Sequence, residues 1–315
     1  MKTETIVYFK NGIGNFIEMT PAIKALCSMD KSGQVDICTD SNWCDSRIDA
    51  LRDIWDKSPL IQTVIEYPHD SLPQRYKRWF YSKHTEGSEG LQVFINRAPM
   101  FGNQINWSQT LMHETDYYMA LVRSIGYRGT TPDQEMPITE YDLPISIVKD
   151  KIIALCNGAS GSQKKQKQWP YFSKLARALH YYYGEELSII NIGNGNELKD
   201  VPCNLNLVGQ LSITETASVL KQVDLLVTSD TGLMHVADAL KIPMIVLFGG
   251  TVVSKNSPLN RMATIARANL SCQPCQYTDR FLSCEHIRCL NNLTVGNVMA
   301  HIRKRLKDEH VADKR

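Results

Sequence analysis

The residues best suited to chemistry lie in one run, SDTGLMHVADALKIPMIVLFGGT, at positions 229–251. A short apolar strand, Leu225 to Val227, leads into it, and Ser229-Asp230-Thr231-Gly232 opens a helix. The first turn of a helix carries free N–H groups and the positive end of the dipole. It therefore favours an anion, phosphate above all. Asp230 or Ser229 also fits a plain N-cap. His235 lies one turn on, placed either to face the same ligand or to pack. The next strand ends in Gly249-Gly250-Thr251, a second backbone loop expected at the same sheet edge.

Two further loops have matching chemistry. CNGASGSQKKQKQWPY (156–171) is rich in glycine, serine and lysine and ends at a Trp-Pro helix start. Lys167, two residues before Trp169, is placed to meet a phosphate, whereas Lys164 and Lys165 read as solvated. GNGNE (193–197) puts Glu197 where a carboxylate accepts from a ribose hydroxyl. Together the four loops make one phosphate-and-ribose-binding rim.

Near the start, KNGIGNFIEMTP (10–21) follows the strand Thr5–Phe9. The side chain after the second glycine is Asn15, which cannot take a proton. Glu18 is the nearest carboxylate in sequence and the candidate base. Asn15 as N-cap with Glu18 at the third helical position is an alternative reading, a capping box without chemistry. His113 and Asp116 are weaker candidates. Gly12-x-Gly14 after a strand suggests a nicotinamide site, but position 17 is Ile, so the full glycine fingerprint is missing.

Cys272, Cys275, Cys284 and Cys289 have the spacing C-x2-C-x8-C-x4-C. Four thiols at this density read as a closed structural Zn or Fe site, with buried free thiols as the alternative. The other five cysteines are scattered and read as core packing.

These loops need a scaffold, and the pattern supplies one. Strand-like and helical runs alternate from Thr5 to Leu26 and again from Ile152 to Phe248, which implies sheets of parallel strands covered by helices. MPITEYDLPIS (136–146), with two prolines and little periodicity, is the linker. The expected architecture is α/β, with two Rossmann-like domains facing across a cleft, 1–140 and 148–315. The last helix is a candidate to pack back on the first domain. A length of 315 residues accommodates both. A net charge of +2 gives no reason to expect nucleic-acid binding. No apolar run approaches the ~20 residues of a membrane span, and the N-terminus lacks the order of a signal peptide. The expected setting is the cytoplasm.

The sequence resembles glycosyltransferase family 9, the heptosyltransferases, with their GT-B fold. The resemblance rests on GIGNFIEMTPAIKAL, KQWP, NIGNGNE, LVGQLSITETASVL and above all SDTGLMHVADALKIPMIVLFGGT. Residues 45–110 match poorly, and acceptor binding is expected there. The resemblance implies a nucleotide-sugar donor such as ADP-heptose, a role in lipopolysaccharide biosynthesis, and inversion without a catalytic metal or other cofactor. The acceptor would be a glycan, a lipid-linked saccharide or a protein, with peripheral contact to the inner membrane. Ser160 and Lys167 would lie near the diphosphate and Glu197 at the ribose. Asp230, Thr231 and Gly232 would hold phosphates and sugar, beside His235 and Thr251. In these relatives the glycine turn is followed by an aspartate base, where this chain has Asn15. That departure favours a second reading, a binding member that has lost its base.

Overall fold

The computed structural model describes residues 1–9, 12–39, 48–66, 78–81, 92–95, 98–99, 111–147, 149–159, 164–195 and 198–306. They divide into two compact units, 1–137 with 254–256, and 138–253 with 257–315. Contacts thus part at Pro137/Ile138. Among the described residues, no helix is long and apolar enough to cross a membrane.

The N-terminal unit is built on β1 (Thr5–Tyr8), α1 (Ile13–Met29), β2 (Val35–Thr39), α2 (Ile48–Lys57) and β3 (Ile61–Glu66). β4 (Arg78–Tyr81), β5 (Gln92–Ile95), β6 (Ala98–Pro99) and α3 (Glu114–Ser124) follow. The sheet order is β3-β2-β1-β4-β5-β6. β1 pairs in parallel with β2 and β4, whereas β4-β5 and β5-β6 are antiparallel. The expected all-parallel sheet is therefore mixed on this side. Segment 69–110 has no apolar period from which its antiparallel strands could be read.

α1 explains the odd EMTP of its sequence. Pro21 has no N–H to give to the carbonyl of Ile17. The Thr20 hydroxyl supplies that bond at 2.7 Å and itself accepts from the Glu135 amide at 2.9 Å. The helix face buries Phe16, Ile17, Ile23 and Leu26, and Phe9, Phe16 and Trp55 meet edge to face with centroids 5.4–6.2 Å apart. Cys27 is one of the packing cysteines. Burial first, then the charges of Asp30 and Glu135, push its thiol up to about 12.

The end of α1 is tied down by Asp30. Its carboxylate accepts from the hydroxyls of Thr3, Thr5 and Ser32 and from the amides of Glu4 and Ser32, at 2.7–3.1 Å. Burial pushes this carboxyl up, but the hydrogen bonds outweigh it and hold it at about 2. A depressed carboxyl stabilises the fold above its unfolded value near 4, and that contribution fades as pH falls from about 4 to about 2. Asp30→Asn is expected to lower stability at pH 7 by on the order of 2 kcal/mol. It should also flatten the acid limb of the stability curve. Urea melts of both proteins between pH 2 and pH 7 check this; parallel acid limbs would refute it.

The C-terminal unit runs β7 (Lys151–Cys156), α4 (Lys164–Lys167), α5 (Phe172–Tyr183), β8 (Leu187–Asn191), β9 (Leu205–Asn206), α6 (Ile213–Lys221) and β10 (Leu225–Ser229). It continues with α7 (Gly232–Ala239), β11 (Met244–Leu247), α8 (Val253–Asn256), β12 (Ala263–Ala266), α9 (Asp279–Ser283), α10 (Arg288–Asn291) and α11 (Val295–Leu306). The order is β12-β11-β10-β7-β8-β9, parallel throughout. This is the Rossmann order, with its switch point between β7 and β10. α11 packs against α5, β11 and β12 of this unit.

The linker is fastened along α6. Thr139, Tyr141 and Leu143 bond to Thr214, Ser218 and Gln222 respectively, at 2.7–3.2 Å. Two extended residues advance about 6.8 Å and four helical residues about 6 Å, so alternate linker positions match one helix face.

Candidate nucleotide-sugar site

At the switch point of the C-terminal sheet, the loops after β7 and β10 leave the same edge. Register fixes this: Thr228 is opposite Cys156, and Ser229 is opposite Leu247 of β11. Asn157 joins them. Its Oδ1 accepts from Trp169 N at 2.9 Å and from Ser229 Oγ at 2.7 Å, and its Nδ2 donates to Trp169 O at 3.0 Å. The Trp169 indole is fully buried and gives its N–H to Leu293 O at 2.8 Å.

That anchoring places α4, and with it Lys167. Lys167 Nζ lies 3.1 Å from Asp230 Oδ2, where the ammonium is partly open and the carboxylate nearly closed off from solvent. Thr231 is the N-cap of α7 and accepts from Leu233 N at 3.2 Å, and Gly232 is the first helical residue. The cap is therefore Thr231, which leaves Asp230 to the lysine. The loop after β7 comes close to this cap: a methyl group on Gly158 would lie 4.0 Å from Thr231 Oγ1. A cation, a cap hydroxyl and a helix N-terminus thus converge, the chemistry that receives a diphosphate. His235 and Thr251 are both buried. Ser160 and Glu197 lie outside the described residues.

The loop at 249–251 is held by neighbours that the sequence reading missed. A Cβ on Gly249 would sit 2.5 Å from the Gln166 carbonyl oxygen, so only glycine lets α4 come this close. Gln273 Nε2 donates to Gly249 O at 2.6 Å, and Gln276 Oε1 accepts from Val252 N at 2.9 Å. The amides of Cys275 and Gln276 both donate to Gly250 O, at 2.9 and 3.0 Å. CQPCQ is thus a strap across the loop after β11. Its glutamines are the only sequence signal, and they are mute without the fold.

The four cysteines of the expected metal site lie near enough to act on one another electrostatically. Among the described residues, no group of three or more His, Cys, Asp or Glu side chains is arranged to hold a metal ion. Cys272, Cys275 and Cys284 are half-buried and Cys289 is buried. Burial, then the neighbouring thiols at 284 and 272, push the Cys275 thiol up; burial chiefly does the same at Cys289. Cys275 Sγ fills the space beside Gly250, 2.7 Å from where a Cβ would stand.

In the N-terminal unit the corresponding edge carries Gly12–Asn15. The helix starts one turn before the capping-box reading: Gly12 is the N-cap, and Asn15 Oδ1 accepts from its amide at 3.2 Å. Glu18 is therefore inside the helix, almost fully buried, with Oε1 3.7 Å from His113 Nε2. His113 caps α3, its Nδ1 accepting from Thr115 N at 3.2 Å. Asn15 Nδ2 donates instead to Glu114 Oε1 at 2.7 Å, an oxygen that also accepts from Tyr118 OH at 2.6 Å.

Comparison with known proteins identifies the family and the fold. Residues 104–285, more than half of the chain, match the model of glycosyltransferase family 9 (heptosyltransferase). A lipooligosaccharide heptosyltransferase 2 of Campylobacter jejuni is 26% identical over 202 residues, 60% of this chain and 62% of that relative. The chain thus spans less than two thirds of that relative's length. The lipopolysaccharide heptosyltransferase 2 of Escherichia coli is 26% identical over 48% of this chain and 49% of its own. Among solved structures, the E. coli ADP-heptose lps heptosyltransferase II superimposes with a TM-score of 0.68 at 16% identity, covering 98% of this chain and 100% of that one. The iron-containing dodecameric heptosyltransferase TibC, bound to ADP-D-β-D-heptose, gives 0.65 at 12%, covering 97% and 77%. These neighbours bear out the expected pair of Rossmann-like domains of the GT-B fold. With more than half of its length matched by one family model, the chain belongs to glycosyltransferase family 9, the heptosyltransferase family.

Proposed function

We propose that this chain is an inverting glycosyltransferase that moves a sugar, heptose from ADP-heptose in the first instance, onto a hydroxyl of a lipopolysaccharide-type acceptor. The observation that carries the reading is the Lys167–Asp230 pair beside the Thr231-capped start of α7. The N-terminal unit would supply the acceptor side. Lys167 and the N–H groups of α7 stabilise the departing diphosphate, the task a divalent metal performs in other transferases, so the transfer calls for no metal or other cofactor. A nucleotide-sugar donor and such an acceptor place the reaction on the cytoplasmic side of the inner membrane, with peripheral contact to it.

A panel of nucleoside diphosphates and nucleotide sugars in a thermal-shift assay tests the donor site, because a ligand that binds the folded state raises its Tm. The expected result is a shift with ADP and a larger one with ADP-heptose, followed by ADP release when acceptor is added. No shift with any nucleotide would reject the reading. A second reading, a donor-binding member without turnover, is favoured by Asn15. Binding without ADP release from any donor and acceptor would establish it.

A further inference from the structure

Sugar transfer needs the acceptor hydroxyl to lose a proton, and Asn15 at the rim cannot take it. Glu18, the carboxylate nearest in sequence, lies one turn deeper in α1, almost fully buried and 3.7 Å from His113 Nε2. The carboxylate in contact with the rim comes from 99 residues away: Glu114, the first residue of α3, held by Asn15 Nδ2 and Tyr118 OH on the same oxygen. Residues 12–15 are partly open to solvent, while Glu114 is fully buried one hydrogen bond behind them.

On the transfer reading above, we propose that Glu114 is the acceptor-side base, and that Asn15 occupies in the free protein the hydrogen-bonding place that the acceptor hydroxyl takes in the complex. The hydroxyl displaces Asn15 Nδ2 from Glu114 Oε1. Its oxygen forms the new bond to the anomeric carbon, and its proton goes to the Glu114 carboxylate. The bond from that carbon to the diphosphate breaks, and the diphosphate leaves with the electron pair. Among the described residues, the charged and titratable groups around Glu114 include Glu18 from α1, His113 and Tyr118 from its own end of α3, and Lys255 from the 254–256 segment that clusters with this unit. Burial lowers the Lys255 ammonium below its ordinary range, and the charge of Glu114 opposes that shift.

The pairing of one amide with one carboxylate can be exchanged. Glu114→Gln is expected to lose 10²–10⁴-fold in kcat, the usual worth of a general base, with ADP affinity unchanged. The exchange variant, Asn15→Asp with Glu114→Gln, returns one carboxylate and one amide to the same contact. It should recover kcat to within about 10-fold of the parent, with an altered pH profile. Asn15→Asp alone sets two carboxylates at hydrogen-bond distance, which must share a proton. Its Tm should fall relative to the parent as pH rises from 5 to 8, and the exchange variant should abolish that dependence. An active parent whose Glu114→Gln variant keeps kcat within threefold overturns the proposal. If that single variant does not fold, a folded but inactive exchange variant overturns it. A parent that binds ADP but turns over no donor instead removes the transfer reading on which the proposal rests.

Discussion

Lys167→Ala is expected to weaken ADP and ADP-sugar binding by about 100-fold at low salt, with turnover falling at least as far. Two effects add. The substitution removes a charge-assisted contact to the diphosphate, and it leaves Asp230, whose carboxylate is nearly buried, without the ammonium 3.1 Å away. An unpaired carboxylate beside the α7 N-terminus then repels the phosphates it formerly helped to place. The penalty should shrink at 0.5 M salt, where screening has already weakened the attraction in the parent. Replacing Asp230 as well, by Asn, should return part of the affinity because the repulsion goes with it. Titration calorimetry at two salt concentrations reads all three effects. A Lys167→Ala protein that binds ADP as tightly as the parent at low salt removes Lys167 from the site.

Trp169→Ala should have the largest effect on stability. The side chain is fully buried, packs edge to face on Phe172 with centroids 5.3 Å apart, and donates to Leu293 O. Truncating a buried tryptophan costs about 3–5 kcal/mol, which for a unit of this size lowers Tm by about 10 °C. The same change loosens the backbone that Asn157 grips on both sides of residue 169, so Lys167 loses its fixed position. Donor affinity should fall together with Tm. Trp169→Phe keeps most of the packing but loses the bond to Leu293, and should lie between the two. Scanning calorimetry with and without ADP checks the pair; an unchanged Tm for the alanine variant would contradict the packing argument.

Much of the frame was readable before any coordinates. β8, β10 and β11 fall within the alternating run expected from Ile152 to Phe248, and α5 ends at Gly184, whose φ of +53° favours a glycine. The Ser212–Glu215 capping box that opens α6 went unread. α2 and β3 went unread, because a ten-residue helix and a six-residue strand between polar loops give little period to recognise. The start of α1 was misplaced by a turn, since Gly12 has no side chain to announce it as the cap.

By itself the sequence determined the alternation of strands and helices, the two-unit division and a helix start within 229–232, where an anion is expected. These rest on local causes: apolar period, glycine turns, and the free N–H groups at a helix start. Tertiary structure alone decided which side chains meet. Lys167 finds Asp230, Asn15 finds Glu114, and Gln273 and Gln276 reach across to the loop at 249–252. It also laid CQPCQ as a strap across that loop. Such pairings join residues 24 to 99 positions apart, and only the strand order of each sheet brings them within hydrogen-bond reach.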